Sequence, residues 1–149
     1  MNPYTINYLQ NNLSRIHSQY YKIIYVNEYL HGNNVSYFAR QEDLPYVNLG
    51  FELSKKLLNY SLKRRPFIVH QVLEELLADA MSKIICLDFI EILFEPSLKI
   101  QPLSLIKNLS KNYVLVVAWR GTYQDNLLTY GEVGHPEYYK YKIVDEEII

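Results

Sequence analysis

Lys83–Glu91, KIICLDFIE, decides the fold. Ile84 to Asp88 is an apolar run that closes on a carboxylate, and it reads as a buried strand. A second run, Tyr113–Trp119, YVLVVAW, follows a helix-like segment and closes on Arg120 and Gly121. Strands that stay apolar without alternation are those covered on both faces, as in parallel sheets. Ionisable groups just past their carboxyl ends stand where open α/β sheets bind ligands.

Upstream of this stretch, Ile68 to Ala80 reads as a helix with Val72, Leu73, Leu76, Leu77 and Ala80 inward. Gly50 to Tyr60 reads as another, with Phe51, Leu53, Leu57, Leu58 and Tyr60 on one apolar face. Leu44–Asn48 is a short strand with Pro45 at its start, and Val35–Gln41 opens a helix. Lys22–Val26, KIIYV, is the first strand, preceded by an N-terminal helix within residues 1–21. Downstream, Glu95-Pro96 breaks the chain, and Pro102 opens a helix to Leu109. Beyond Gly121 the pattern changes. Thr122-Tyr123 and Leu127–Tyr130 flank Gln124-Asp125-Asn126 as a hairpin, Gly134-His135-Pro136 turns again, and Tyr139–Val144 is a last strand. The expectation is one α/β domain over residues 1–149. It is a three-layer sandwich with a mainly parallel sheet of about five strands, and residues 121–149 add a C-terminal hairpin and last strand.

The 149 residues suit one domain, and 49 % hydrophobic content suits an ordinary core. Fifteen basic and sixteen acidic residues give a net charge of −1, with no global attraction to nucleic acid or anionic membrane. DNA is therefore expected as a partner only indirectly. The cluster Lys63-Arg64-Arg65 reads as a solvated loop, and its arginines are of a type that reaches into a neighbouring subunit. The single cysteine, Cys86, excludes an internal disulfide and reads as a small buried hydrophobe. The polar first twenty residues and the lack of a long apolar run point to a cytoplasmic protein without a membrane span. Fifteen tyrosines fit core filling in strands, with interface contact as the alternative. The four histidines show no ligand spacing.

The loop after the first strand runs Asn27-Glu28-Tyr29-Leu30-His31-Gly32-Asn33-Asn34. A phosphate loop has the form GxxxxGK[ST], in which backbone N–H groups cradle phosphate, Lys neutralises it and the hydroxyl holds magnesium. Gly32 fits the second glycine. Asn33 stands where Lys belongs, Asn34 where Ser or Thr belongs, and Glu28 adds a negative charge nearby. The same residues also suit a plain strand-to-helix turn in which Asn supplies the cap. Asp88 suits a magnesium-binding acid and Glu91 a residue that orients attacking water, although they are three apart. Asp88 as a strand-end cap and Glu91 as a surface residue is the plainer alternative. Arg120 is placed like a sensor of a terminal phosphate, or as a surface cover for Trp119.

Four segments then carry a resemblance: LPYVNLGFELSKKLL (Leu44–Leu58), ICLDFIEILFEPSLKIQPLSLIKNLSKN (Ile85–Asn112), VLVVAWRG (Val114–Gly121) and LTYGEVGHPEYYKY (Leu128–Tyr141). They resemble the BrxF family, small P-loop-containing proteins of type III BREX phage-defence systems. The resemblance implies a P-loop NTPase-like fold and a place in a multi-protein system that tells self from phage DNA by methylation. By position, Asp88 corresponds to the Walker B acid, which would hold metal, and Glu91 to the Glu of that segment. Gly32, Asn33 and Asn34 correspond to the phosphate loop. The implied cofactors are ATP and magnesium. The implied partners are other BREX proteins, with a homo-oligomer as a further option. Losing one partner of a desolvated charge pair costs roughly 2–5 kcal/mol, or roughly thirty- to several-thousand-fold in affinity. The missing Lys therefore sets the expectation against ATP hydrolysis. Two other readings stay open: an ATP-binding protein with an unusual loop, and a small interaction module that binds no nucleotide.

Overall fold

Five strands form the main sheet of the computed structural model, which describes residues 2–28 and 32–149. They are β1 (Ile23–Asn27), β2 (Tyr46–Asn48), β3 (Ile84–Asp88), β4 (Val114–Trp119) and β8 (Glu147–Ile148). Their spatial order is β2-β3-β4-β1-β8, and every neighbouring pair is parallel. β4 is buried along its whole length, and β1 and β3 nearly so, because both sheet faces are covered.

Alternate side chains feed two cores. Ile24, Val26, Cys86, Val116 and Ala118 pack against α1 (Pro3–Ile16) and α2 (Asn34–Gln41). Ile23, Tyr25, Ile85, Leu87, Val117 and Trp119 pack on the opposite face. There they meet α3 (Leu49–Leu57), α4 (Arg65–Asp79), α5 (Pro102–Leu109) and the 3-10 turns Ile90–Phe94 and Pro96–Leu98. The architecture is thus α/β, with a mostly parallel sheet between helices. A smaller antiparallel sheet of β5 (Thr122–Gln124), β6 (Leu127–Tyr130) and β7 (Tyr139–Lys142) joins the second core through Leu128, Tyr130 and Tyr139. Phe94 stacks on Tyr139 at 5.2 Å and meets the Trp119 ring edge-on at 6.0 Å.

Several expectations need correction. The first helix ends at Ile16 rather than running to residue 20 or 21. The strand expected over Tyr139–Val144 is β7, which stops at Lys142 and pairs antiparallel with β6. The fifth parallel strand is the two-residue β8, held by the Glu147 carboxylate. That group accepts from Arg15 at 2.7 and 2.9 Å and from Tyr8 Oη at 3.1 Å. The buried face of α3 is Leu49, Leu53 and Leu57, whereas Phe51 and Leu58 point to solvent. No helix among the described residues is long and apolar enough to cross a membrane.

Cys86 is completely buried, and burial pushes its thiol up to about 12. A thiol reagent such as DTNB at mild alkaline pH should therefore leave the native protein unlabelled. It should modify one thiol per chain once urea unfolds it. Rapid labelling of the native state would contradict this packing.

Candidate functional site

The connections leave the sheet in opposite directions at one place. After β1 the chain crosses to α2 on one face; after β3 and β4 it passes to the 3-10 turn and the small sheet on the other. β1 and β4 are neighbours, with Asn27 beside Trp119. Their carboxyl ends therefore form a topological switch point, the position at which open α/β sheets bind ligands. A cleft of about 860 Å³ opens there, lined on one side by Asn27, Glu28 and Asn34 and on the other by Arg120, Tyr130 and Glu132.

Glu28 follows β1 directly and is 1 % exposed. Its carboxylate lies against the start of α2. One oxygen accepts from the Val35 amide at 2.7 Å; the other accepts from the Asn34 amide at 2.9 Å and the Asn34 side-chain amide at 3.2 Å. It thus satisfies N–H groups that a helix leaves open at its first turn, and its charge suits the positive end of the helix dipole. Asn33 occupies the cap position of α2 but makes no side-chain cap bond. Gly32 donates its amide to the Glu28 carbonyl at 2.7 Å. A Cβ on Gly32 would run into that carbonyl and into the Glu28 carboxylate, so the position needs glycine for space. Tyr29, Leu30 and His31 of the expected phosphate loop lie outside the described residues.

Asp88 closes β3 and is also 1 % exposed. Arg120, one residue past β4, meets it with a two-pronged ion pair, Nε to one oxygen and Nη2 to the other, both at 2.9 Å. The remaining guanidinium nitrogen, Nη1, donates to the Gly32 carbonyl at 2.9 Å, so one side chain ties the ends of β3 and β4 to the loop after β1. Tyr46 Oη donates to Asp88 at 2.6 Å, and the Phe89 amide at 2.8 Å. The Phe89 ring lies under the guanidinium, 4.5 Å away. Phe89 adopts φ 54°, a left-handed conformation that turns the chain sharply off the strand.

These contacts set the protonation states. The hydrogen bond with Asp88 holds the Arg120 guanidinium above its ordinary range, against the pull of burial. Burial first, and then the Asp88 hydrogen bond, push the Tyr46 phenol far above its usual value. Glu91 is half-buried in the 3-10 turn, and one of its oxygens has no hydrogen-bond partner among the described residues. Burial and, more weakly, the charge of Asp88 raise its carboxyl. Glu91 is therefore not the free surface residue of the plainer alternative, and no hydrogen bond joins it to Asp88 in the described structure.

The structure brings Asp88, Arg120 and Gly32 together and places Asn34 beside them through Glu28. Both oxygens of Asp88 are engaged, so a magnesium ion bound directly to it would have to displace one of these donors. Among the described residues no three His, Cys, Asp or Glu side chains cluster as a metal site. Arg65 is no free finger: its Nε donates to the carbonyls of Leu57 and Tyr60. Sequence reasoning missed Glu28 as a cap, Tyr46 as a donor and Phe89 as a ring under the cation. The Glu28 signal is weak because the carboxylate lies six residues before Asn34, outside ordinary capping spacing. No protein-family model matches the chain, and neither a curated protein nor a solved structure matches it.

Removing one member of a buried ion pair costs about 3–5 kcal/mol, because the other charge is left uncompensated. Asp88→Asn and Arg120→Met should each lower urea stability by roughly that amount. The double variant should lose clearly less than the sum. Additive losses would show that the pair does not act as a unit.

Glu91 gives a pH prediction of opposite sign to the usual carboxylate. Its folded-state value is raised, so the folded chain holds this proton more tightly than the unfolded chain. Its contribution is therefore favourable at acid pH and is lost as pH rises from about 4.3, the ordinary glutamate value, through the raised folded value. Glu91→Gln should be more stable relative to wild type at pH 7 than at pH 4, measured by urea titration at both. An unchanged difference would remove the inferred burial effect.

Proposed function

We propose that the chain has a P-loop NTPase-like fold whose phosphate seat is filled by its own Glu28 carboxylate. On this reading it serves as a non-hydrolysing component of a BREX-type phage-defence assembly and acts through protein partners. The strand–loop–helix unit β1–α2 at the switch point supports the fold part of the reading. The Glu28 contacts carry the functional part. The amides of Asn34 and Val35 point at an anion, as amides do in a phosphate loop, and that anion belongs to the protein. Arg120, a cation that lines the same cleft, is committed to Asp88. The place in a defence system rests on the likeness of Leu44–Leu58, Ile85–Asn112, Val114–Gly121 and Leu128–Tyr141 to BrxF proteins.

The cleft beside Glu28 favours one second reading, an ATP-binding protein with an unusual loop. Titration calorimetry separates the two. With ATP and magnesium, wild type should show no binding tighter than about 1 mM. Micromolar binding that disappears in Asp88→Ala would replace the first reading with the second. The defence assignment is checked by gene neighbourhood, where methyltransferase and phosphatase-like genes are expected.

A further inference from the structure

The corner between α3 and α4 carries exposed apolar and basic residues close together in sequence. Residues 51–67 hold five of the fifteen basic residues and one of the sixteen acidic ones. Within them Phe51, Leu58, Leu62 and Phe67 are each at least 60 % exposed, and Phe67 reaches 89 %. Phe51 and Lys55 lie one turn apart on α3, with Lys55 over the Phe51 ring at 5.0 Å, and Leu58 and Leu62 follow at the end of that helix and in the turn beyond it. Lys63 and Arg64 are exposed beside them, with Arg64 over Tyr60 at 5.5 Å. Isolated exposed apolar residues need no explanation, but a cluster rimmed by like charge marks a contact surface.

The chain carries a surface of opposite character. The turn between β6 and β7 presents Val133, 85 % exposed, next to the exposed Glu132 and followed by the part-exposed Glu137. No salt bridge engages either glutamate among the described residues. The two surfaces belong to different parts of the fold, the corner between two helices of the main domain layer and the turn between two strands of the small sheet.

We propose that the α3–α4 corner docks a second copy of this chain through its β6–β7 turn. Val133 would enter among Leu58, Leu62 and Phe67, with Glu132 and Glu137 facing Lys63 and Arg64. Such a contact joins unlike surfaces and is head-to-tail, so it builds a ring or an open chain rather than a two-fold dimer. Single-stranded nucleic acid suits the corner less well: Leu58 and Leu62 offer no stacking face, the Phe51 and Tyr60 rings already carry their own cations, and Phe67 alone does not make a run of stacking rings. An anionic membrane suits it less well because the rest of the chain holds a net negative charge and would be repelled. Glu132 of the turn also lines the strand-end cleft, whereas neither surface includes Glu28, Asp88 or Arg120.

Sedimentation velocity on the whole protein tests the proposal at about 0.01 M and about 1 M salt, where screening lengths are roughly 30 Å and 3 Å. The average mass should rise with protein concentration at low salt and fall back towards the 17.7 kDa monomer at high salt. Lys63→Glu with Arg64→Glu should weaken association about a hundredfold, through like charges brought face to face. Glu132→Lys with Glu137→Lys should do the same. These substitutions lie on the surface, and unchanged circular dichroism confirms folding. Mixing the two charge-reversed proteins should restore association, because every reversed patch then meets a reversed turn. A monomer at all concentrations, insensitivity to both reversals, or a mixture that stays monomeric would overturn the proposal. So would flotation of wild type with phosphatidylserine vesicles without self-association, or duplex or single-strand oligonucleotide binding that Lys63→Glu with Arg64→Glu abolishes.

Discussion

Two carboxylates, Glu28 and Asp88, are buried at the strand ends, where their oxygens need hydrogen-bond donors. Moving an unpaired carboxylate out of water costs far more than a domain can supply, so buried acids require ion pairs or several hydrogen bonds. Glu28 meets the requirement with the first amides of α2. Asp88 meets it with the Arg120 fork, the Tyr46 hydroxyl and the Phe89 amide. These needs fix where α2 begins, where β4 releases its chain and how β2 leans on β3. The site is a consequence of satisfying two charges.

The sheet makes this economical. Parallel strands send their carboxyl ends to one edge, and the change of face between β1 and β4 leaves a gap there. Arg120 spans the gap because its planar fork holds Asp88 while a third nitrogen reaches the Gly32 carbonyl. The small sheet shields the same end. Its entry is tight: a Cβ on Gly121 would strike the Thr129 carbonyl and crowd the Trp119 ring. The Trp119 indole N–H finds the Thr122 carbonyl at 2.9 Å, which pins the first strand of that sheet to β4.

The sequence showed most plainly what depends on local pattern. β3 and α5 fall on the residues expected, and β4 differs by one, because their apolar runs end at Asp88, Leu109 and Arg120. The hairpin was legible from Asp125 and Asn126, whose left-handed conformations suit a two-residue turn. What failed depends on distant partners. β8 contains Glu147, a poor strand residue, and becomes a strand only because Arg15 and Tyr8 receive that charge from the far end of the chain. Phe51 and Leu58 look like core by residue type, yet Leu49, Leu53 and Leu57 fill the face that meets the sheet. The candidate site divides the same way. Asp88 and Arg120 are visible at strand ends, whereas their pairing, the Tyr46 donor and the Glu28 cap exist only once the strands are ordered.

The residues around Glu28 make physical sense together. A triphosphate places several negative charges on the helix start, and amides alone do not neutralise them, which is why phosphate loops carry Lys and a metal ion. A single carboxylate brings one charge. Two backbone amides, one side-chain amide and the positive end of α2 suffice for it. A Lys at position 33 would then have no second charge to meet, and a hydroxyl at position 34 would have no metal to hold. It would also forgo the Asn34 side-chain amide that reaches Glu28 while its oxygen accepts from the Asn2 amide at 2.6 Å. Asn34 thus suits an internal acid at Glu28, because its backbone and side-chain amides both reach that carboxylate.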